Sequence, residues 1–203
     1  MTNAPTAAGR KRRIAPAEIL SMEVYGRERK ELRGALVARK KHRRVEVGPV
    51  ATFYFENYET MWHQVHEMLF IEKGGEAQVA DELGAYNTLI PQGRELVATV
   101  MFEIDDPERR KTFLGRLGGV EHAMFLELGG RRLMAKAEED LDRTNAAGKA
   151  SSVHFVHFPL DDAAAAAFKT PGSRVVLGIE HPGYSHMAVL PEATRAALAE
   201  DLD

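Results

Sequence analysis

Residues 45–73, VEVGPVATFYFENYETMWHQVHEMLFIEK, join a strand-forming run to an amphipathic helix. The first half is rich in Val, Phe and Tyr, which favour β-strands, and Gly48-Pro49 predicts a kink because proline cannot donate to a sheet. Asn57 has the side chain of a helix N-cap, and the apolar spacing after it predicts a helix over 58–73. A strand followed directly by a helix indicates a mixed fold.

Similar elements lie on both sides of this stretch, without a repeat of fixed period. Further helices are predicted over residues 16–41, 76–86, 107–117, 163–169 and 191–202. Further strands are predicted over residues 95–104, 123–128, 131–137, 151–160, 174–180 and 187–190. The connections are mostly hairpins and loops. The sequence therefore predicts an α+β fold: a mostly antiparallel sheet of six or seven strands, packed helices and a long basic N-terminal helix.

The composition fits a single globular domain. The chain has 203 residues, of which 44% are hydrophobic and 28% are charged. Residues 1–13 are small, polar and basic, so we expect a disordered tail followed by one domain over residues 14–203. Residues 138–150 are expected to form a polar connection within that domain.

The chain contains no cysteine, which excludes disulfides, thiolate metal sites and thiol nucleophiles. No stretch is long and apolar enough to predict a membrane span. Residues 1–18 lack the apolar core of a secretory signal. A cytoplasmic location is therefore expected.

Charge is unevenly distributed along the chain. Residues 10–44 contain 13 Lys or Arg and four Glu, a net charge of +9, whereas the whole chain carries −3. This asymmetry suggests an anionic partner. The alternative is a solvated basic helix that pairs with acidic groups of its own domain. Tyr25 is the only aromatic residue in the segment, which argues against nucleic acid as the partner.

The predicted helix 58–73 carries the densest group of polar side chains. Glu59, His63, His66 and Glu67 share one face at a period of 3.6 residues. Imidazole and carboxylate side by side suit iron, zinc or manganese. The alternative is an amphipathic helix whose polar face is rich in histidine. One helix cannot close a metal site, so further ligands must come from other elements.

Histidines on predicted strands are the candidates for those further ligands. His154 and His157 lie on opposite faces of one strand, so they cannot share a site. His181 and His186 flank a turn that contains Tyr184. Each of these histidines has a structural or surface role as its alternative.

Six short segments are informative in combination. They are residues 43–49 (RRVEVGP), 55–57 (FEN), 64–68 (QVHEM), 85–91 (AYNTLIP), 152–155 (SVHF) and 181–184 (HPGY). Together they resemble one bacterial family of unknown function over about residues 15–202. That family is typically encoded beside rubrerythrin-like di-iron proteins and iron–sulfur oxidoreductase-like proteins. The resemblance implies a role near redox or oxidative-stress chemistry, with such a protein as partner.

The resemblance also narrows the candidate site. Glu67, His154 and His181 have counterparts in the family pattern, whereas the other candidate histidines do not. We therefore expect these three residues to form a metal site of two imidazoles and one carboxylate, an arrangement that suits iron. Gln64 would orient the carboxylate, and Tyr184 would line the entrance, so both are expected in cofactor binding. Glu56 lies in another of the matching segments.

Three hypotheses for function follow. The first is a metal- or cofactor-binding accessory to redox proteins. The second is a non-catalytic interaction protein that docks an acidic partner through its basic N-terminal helix. The third is a nucleic-acid-binding regulator, for which the basic segment lacks stacking residues. Enzymatic activity and self-association stay open.

Overall fold

The computed structural model describes residues 10–138 and 149–203. Its helices are α1 (Met22–Lys40), α2 (Tyr58–Glu72), α3 (Glu76–Asn87), α4 (Pro107–Leu114), α5 (Asp162–Lys169) and α6 (Glu192–Ala199). Its strands are β1 (Arg44–Val47), β2 (Ala51–Glu56), β3 (Glu95–Phe102), β4 (Met124–Leu128), β5 (Arg131–Met134), β6 (Lys136–Ala137), β7 (Val153–Pro159), β8 (Val175–His181) and β9 (Tyr184–Val189). Short 3₁₀ turns cover Pro16–Glu18 and Val120–His122.

The strands of the described residues form two sheets in which every pairing is antiparallel. The larger sheet has the order β1-β2-β3-β7-β6, and the smaller one has the order β5-β4-β8-β9. The predicted α+β class is thereby confirmed. The strand predicted over 131–137 is two strands in different sheets, because β5 pairs with β4 and β6 pairs with β7. An apolar pattern along the chain cannot show such a change of partner.

The larger sheet has two different faces, and this difference positions the candidate site. One face packs against the smaller sheet, through residues such as Phe53, Val156 and Leu177. The other face packs against α2 and α3, where Val97 meets Met61, Val65 and other apolar residues of the helices. Because strand side chains alternate in direction, neighbouring residues of one strand belong to different sides of this sheet.

The turn at Gly48-Pro49 is a hairpin, so the predicted kink within one strand is wrong. Val47 pairs with Ala51 across a short loop, and Gly48 has a φ of +73°. A side chain at Gly48 would also collide with Tyr184, since a Cβ atom there would lie 2.5 Å from its hydroxyl. Glycine is therefore required both by the backbone conformation and by this close approach.

The N-terminal helix predicted over 16–41 is divided in the structure. The 3₁₀ turn at Pro16–Glu18 comes first, and α1 then begins after Ser21, whose hydroxyl accepts from the Val24 amide at 3.3 Å. Tyr25 is the buried residue of α1. Most of the basic side chains of α1 are exposed.

The two predicted polar segments fall mainly outside the part of the chain that the structure describes. For the tail predicted over residues 1–13, only residues 10–13 are described. Arg12 donates to the carbonyls of Pro91 and Asp201, at 2.8 and 2.9 Å, so these last residues contact the folded body. Residues 139–148 of the predicted connection are also outside. Within the described ranges, no helix is long and apolar enough to cross a membrane.

Candidate functional site

The polar face of α2 holds α1 in place. The Glu67 carboxylate accepts from Arg29 at both oxygens, with distances of 2.8 and 2.7 Å. The Tyr25 hydroxyl donates to the same carboxylate at 2.6 Å. Glu59 lies 3.4 Å from Arg39, at the other end of the helix pair. The guanidinium of Arg29 is the main reason that the pKa of Glu67 falls to about 2.

The two histidines of this face are also engaged with protein groups. His66 Nε2 accepts from the Leu20 amide at 3.0 Å, and His66 Nδ1 lies 2.7 Å from the Trp62 carbonyl. His63 Nε2 lies 3.4 Å from the Tyr25 hydroxyl. Burial lowers the pKa of both imidazoles, which favours their neutral forms. The histidine-rich face of α2 therefore packs against α1 and the residues before it. This is the structural role that the sequence analysis gave as the alternative to a metal site.

His154 and His181 lie in two different environments. His154 is fully buried among the residues between the sheets, with its Nε2 atom 2.9 Å from the Ser151 carbonyl and its ring against Phe102. His181 Nε2 lies 3.1 Å from the Gly118 carbonyl. His181 Nδ1 accepts from the Gly183 amide at 3.0 Å, across the turn. Both nitrogens of His181 are thus occupied by backbone groups.

The predicted convergence of Glu67, His154 and His181 does not occur. Among the residues that the structure describes, no three His, Asp or Glu side chains are grouped so that they could hold a metal ion. Glu67 lies on the helical side of the larger sheet, whereas His154 lies on the side that faces the smaller sheet. The physical reason is strand alternation, which turns Phe155 toward the helices and His154 away from them.

The Tyr184 side chain connects the β1–β2 hairpin to β9, whereas the sequence predicts it at the entrance of a site. Its hydroxyl donates to the Val47 carbonyl at 2.6 Å and accepts from the Ala51 amide at 3.2 Å. The residue is 4% exposed, and burial raises the pKa of its phenol. This contact explains why a tyrosine in the 181–184 segment matters for the fold.

Gln64 lines a cleft, which we call the sheet–helix cleft. The cleft has a volume of about 360 Å³ and lies between the larger sheet and α2 and α3. Its floor consists of Tyr54, Thr99 and Phe155 with neighbouring strand residues. Its walls include Met61, Gln64, Tyr86 and Leu89, and Lys40 from the end of α1 also lines it.

Strand register builds the floor of the cleft. Tyr54 pairs with Thr99, and Thr99 pairs with Phe155, so the three form one row across β2, β3 and β7. Side chains at paired positions point to the same face of a sheet. Glu56, two residues after Tyr54, therefore shares this face and also lines the cleft.

Glu56 is the most unusual group of the cleft. Its side chain belongs to a residue that is only 5% exposed. One carboxylate oxygen, Oε1, accepts from the Thr99 hydroxyl at 2.7 Å. The other, Oε2, is buried and has no hydrogen-bond partner within the described part of the chain. Arg43 fixes the local backbone by donating to the Glu56 carbonyl at 3.0 Å.

Gln64 and Tyr86 supply the remaining polar groups of the wall. The Gln64 amide nitrogen lies 3.5 Å from the Tyr86 hydroxyl, which is a long contact. Burial is the main cause that raises the pKa of Tyr86, so its phenol is neutral at pH 7. A few polar groups among apolar and aromatic walls are typical of small-molecule sites.

The sequence predicts Gln64 beside Glu67, whereas the structure places it in the lining of a cleft with Glu56 and Tyr86. Glu56 and Tyr86 are both present in the matching segments, but the sequence does not predict that they line a cleft with Gln64. Alternation from Tyr54 to Glu56 on one strand was the available signal, because it places a carboxylate at the end of an otherwise apolar run. The contribution of α3 could not be found without the tertiary structure.

These features define an α+β protein with a ligand-sized cleft on the helical face of its larger sheet. The chain belongs to the family described as "Protein of unknown function (DUF3501)", whose model matches residues 13–202. The expected membership of a family of unknown function is thereby confirmed.

A solved structure has the same fold. It is the crystal structure of a novel protein of unknown function from Burkholderia pseudomallei, with 37% sequence identity and a TM-score of 0.86. The similarity covers 94% of this chain and 99% of that one. The search of curated proteins found no match to this chain.

Proposed function

We propose that the protein binds a small organic molecule in the sheet–helix cleft. The observation that carries the proposal is a cleft of about 360 Å³ that is lined by apolar and aromatic side chains with a few polar groups among them. This volume is near the lower end of the usual range for ligand sites, about 300–1,000 Å³. A single-ring compound or a short aliphatic chain suits that size.

With the cleft as the site, the accessory-protein hypothesis involves an organic ligand in place of a metal ion. The family resemblance implies a role beside redox proteins, and that role would here depend on an organic ligand held near Gln64. Glu67, His154 and His181 are engaged in hydrogen bonds with other parts of the protein. The proposal therefore needs no contribution from them beyond support of the fold.

A filled cleft is the direct test of this proposal. Met101 lines the cleft and is 37% exposed, so Met101→Trp should obstruct it at small cost to the fold. Met187 is a strand methionine of the other sheet that is 52% exposed, so Met187→Trp is a matched control. Ligand-observed NMR with a set of single-ring amines, alcohols and carboxylates should find binders that Met101→Trp loses and Met187→Trp keeps. Binding that survives Met101→Trp, or an absence of binders, would contradict the proposal.

A second candidate function is docking of an acidic protein through α1. Lys30 and Arg33 are exposed on this helix, and Val37 beside them is 66% exposed. A basic surface with an exposed apolar residue favours a partner of opposite charge. The rubrerythrin-like and iron–sulfur oxidoreductase-like proteins implied by the resemblance are the partners to examine.

Charge reversal separates this candidate from the first. The double variant Lys30→Glu/Arg33→Glu should weaken binding to a purified rubrerythrin-like protein and flatten its dependence on salt. Arg109→Glu/Lys111→Glu, two exposed residues of α4, is the matched control. Equal binding by both double variants would exclude α1 as the docking surface.

A further inference from the structure

We propose that the ligand of the sheet–helix cleft carries a nitrogen cation, as a primary ammonium or amidinium group, that pairs with Oε2 of Glu56. This inference rests on the proposed function above and adds the chemical class of the ligand. It depends on a different observation, the unpartnered carboxylate oxygen of Glu56, which lines the cleft.

The geometry leaves one carboxylate oxygen of Glu56, a residue that lines the cleft, without a hydrogen-bond partner among the described residues. Thr99 donates to Oε1 at 2.7 Å, and Oε2 is buried without a hydrogen-bond partner among the described residues. A buried ionised oxygen is unfavourable unless it is paired, because burial removes its hydration. A cationic donor is the partner that compensates this loss most strongly.

The cationic groups around Glu56 are engaged elsewhere. Arg43 forms a buried ion pair with Asp201 and donates to backbone carbonyls. Arg44 Nη2 lies 2.9 Å from Glu46 Oε1. His157, which shares the Glu56 row of the sheet, has Nδ1 3.0 Å from Glu95 and Nε2 3.8 Å from Glu138.

Lys40 is the remaining cation of the cleft lining. It lies at the C-terminal end of α1 and is half-buried. No ion pair joins it to Glu56 in the described residues, in agreement with the unpartnered Oε2 atom.

The other lining groups also suit an organic cation. The Gln64 amide nitrogen is directed to Tyr86, which leaves its carbonyl oxygen as a second acceptor. Phe155 and Tyr54 on the floor are aromatic, and the Arg44 guanidinium lies over the Tyr54 ring, 5.6 Å from its centroid, so this surface already accommodates a cation. A neutral analogue would leave Oε2 without a cation, and an anionic one would meet its negative charge.

Benzylamine, benzyl alcohol and benzoate test the inference because they share one ring and differ in charge. Their dissociation constants can be measured by NMR titration on the full chain. Benzylamine should bind at least about tenfold more tightly than benzyl alcohol, as expected when one hydrogen bond becomes charge-assisted. Benzoate should bind more weakly than either.

The Glu56→Gln variant removes the charge and keeps the shape. It should lose most of the preference for benzylamine over benzyl alcohol, whereas Glu127→Gln, a strand residue of the smaller sheet, should keep it. If Glu56→Gln does not fold, the preference for benzylamine over benzyl alcohol is measured in Glu56→Asp instead, in which the carboxylate is retracted by one methylene.

The outcomes distinguish the two proposals. Binding of amine and alcohol with equal affinity, or an unchanged preference in Glu56→Gln, would overturn the cation inference and leave the ligand-binding proposal standing. If none of the three probes binds, the cation inference also fails, because a single-ring amine is the class that it names. If the parent protein binds no member of the broader set either, the ligand-binding proposal fails as well.

Discussion

Glu56 and Glu67 are two carboxylates near α2 whose surroundings give them different roles. Glu67 is held by Arg29 and Tyr25, which satisfy both of its oxygens. Glu56 has one satisfied oxygen and one without a partner among the described residues. The residue type alone does not separate a structural carboxylate from one available to a ligand, since the separation depends on partners that are distant in sequence.

Removal of the Glu67 charge should detach α1 from α2. Glu67→Gln loses the charge-assisted hydrogen bonds to Arg29, so we expect the free energy of unfolding to fall by about 1.5–3 kcal/mol. Urea denaturation measures this change. Glu76→Gln, an exposed residue at the start of α3, is the control and should change stability by less than about 0.5 kcal/mol. Equal effects would show that the contact is weak.

The buried histidines of α2 should make stability depend on pH. Burial lowers the pKa of His63 and His66 below the ordinary value of 6.5, so protonation favours the unfolded chain. Stability is therefore expected to fall as pH drops below 6.5. The lowered pKa of Glu67 adds a further loss at lower pH, below its unfolded value of 4.5 and down through about 2.

Variants isolate the histidine contribution. His157 acts in the opposite direction, because Glu95 raises its pKa and protonation of His157 favours the folded chain. The contribution of His63 is therefore measured as the difference in stability between a variant and the parent protein. Between pH 7 and pH 5, His63→Gln should lose less stability than the parent protein. His42→Gln, at an exposed position, should follow the parent. If the three proteins have parallel pH profiles, His63 does not contribute.

At the scale of elements, the capped start of α2 could be predicted from the sequence, and strand partners could not. Asn57 caps α2 as predicted, with its side chain accepting from the Thr60 amide at 3.0 Å. Capping depends on residues three positions apart, so it is visible in the sequence. At Gly48 the sequence predicts a kink within one strand, whereas β1 and β2 pair locally across a hairpin, and the contact of this turn with Tyr184 depends on β9, more than a hundred residues away.

Substitution of Gly48 tests this view of the hairpin. Gly48→Ala places a Cβ atom against Tyr184 and His186 at a positive φ, so we expect a loss of at least about 1–3 kcal/mol in the free energy of unfolding. Gly34→Ala, in α1, has no neighbouring atom within 4 Å of the added group and should be neutral or stabilising. A neutral Gly48→Ala would contradict the assigned turn.

At the scale of the whole molecule, the larger sheet divides the candidate residues between two environments. His154 faces the interior between the sheets, whereas Gln64, Tyr86 and Glu56 meet on the helical side. The sequence could supply the alternation within each strand, but the assignment of each face depends on which elements cover it. For this reason the sequence does not predict which residues line the cleft with Gln64.

The central claim is that the sheet–helix cleft, rather than a cluster of Glu67, His154 and His181, is the ligand site. A titration of ¹⁵N-labelled protein with benzylamine tests it most directly, because the side-chain amide of Gln64 gives its own NMR signal. We expect saturable shifts at that amide and at the backbone amides of Glu56 and Thr99, with little change at His154 and His181. Shifts that cluster at His154 and His181, or none at millimolar benzylamine, would contradict the claim.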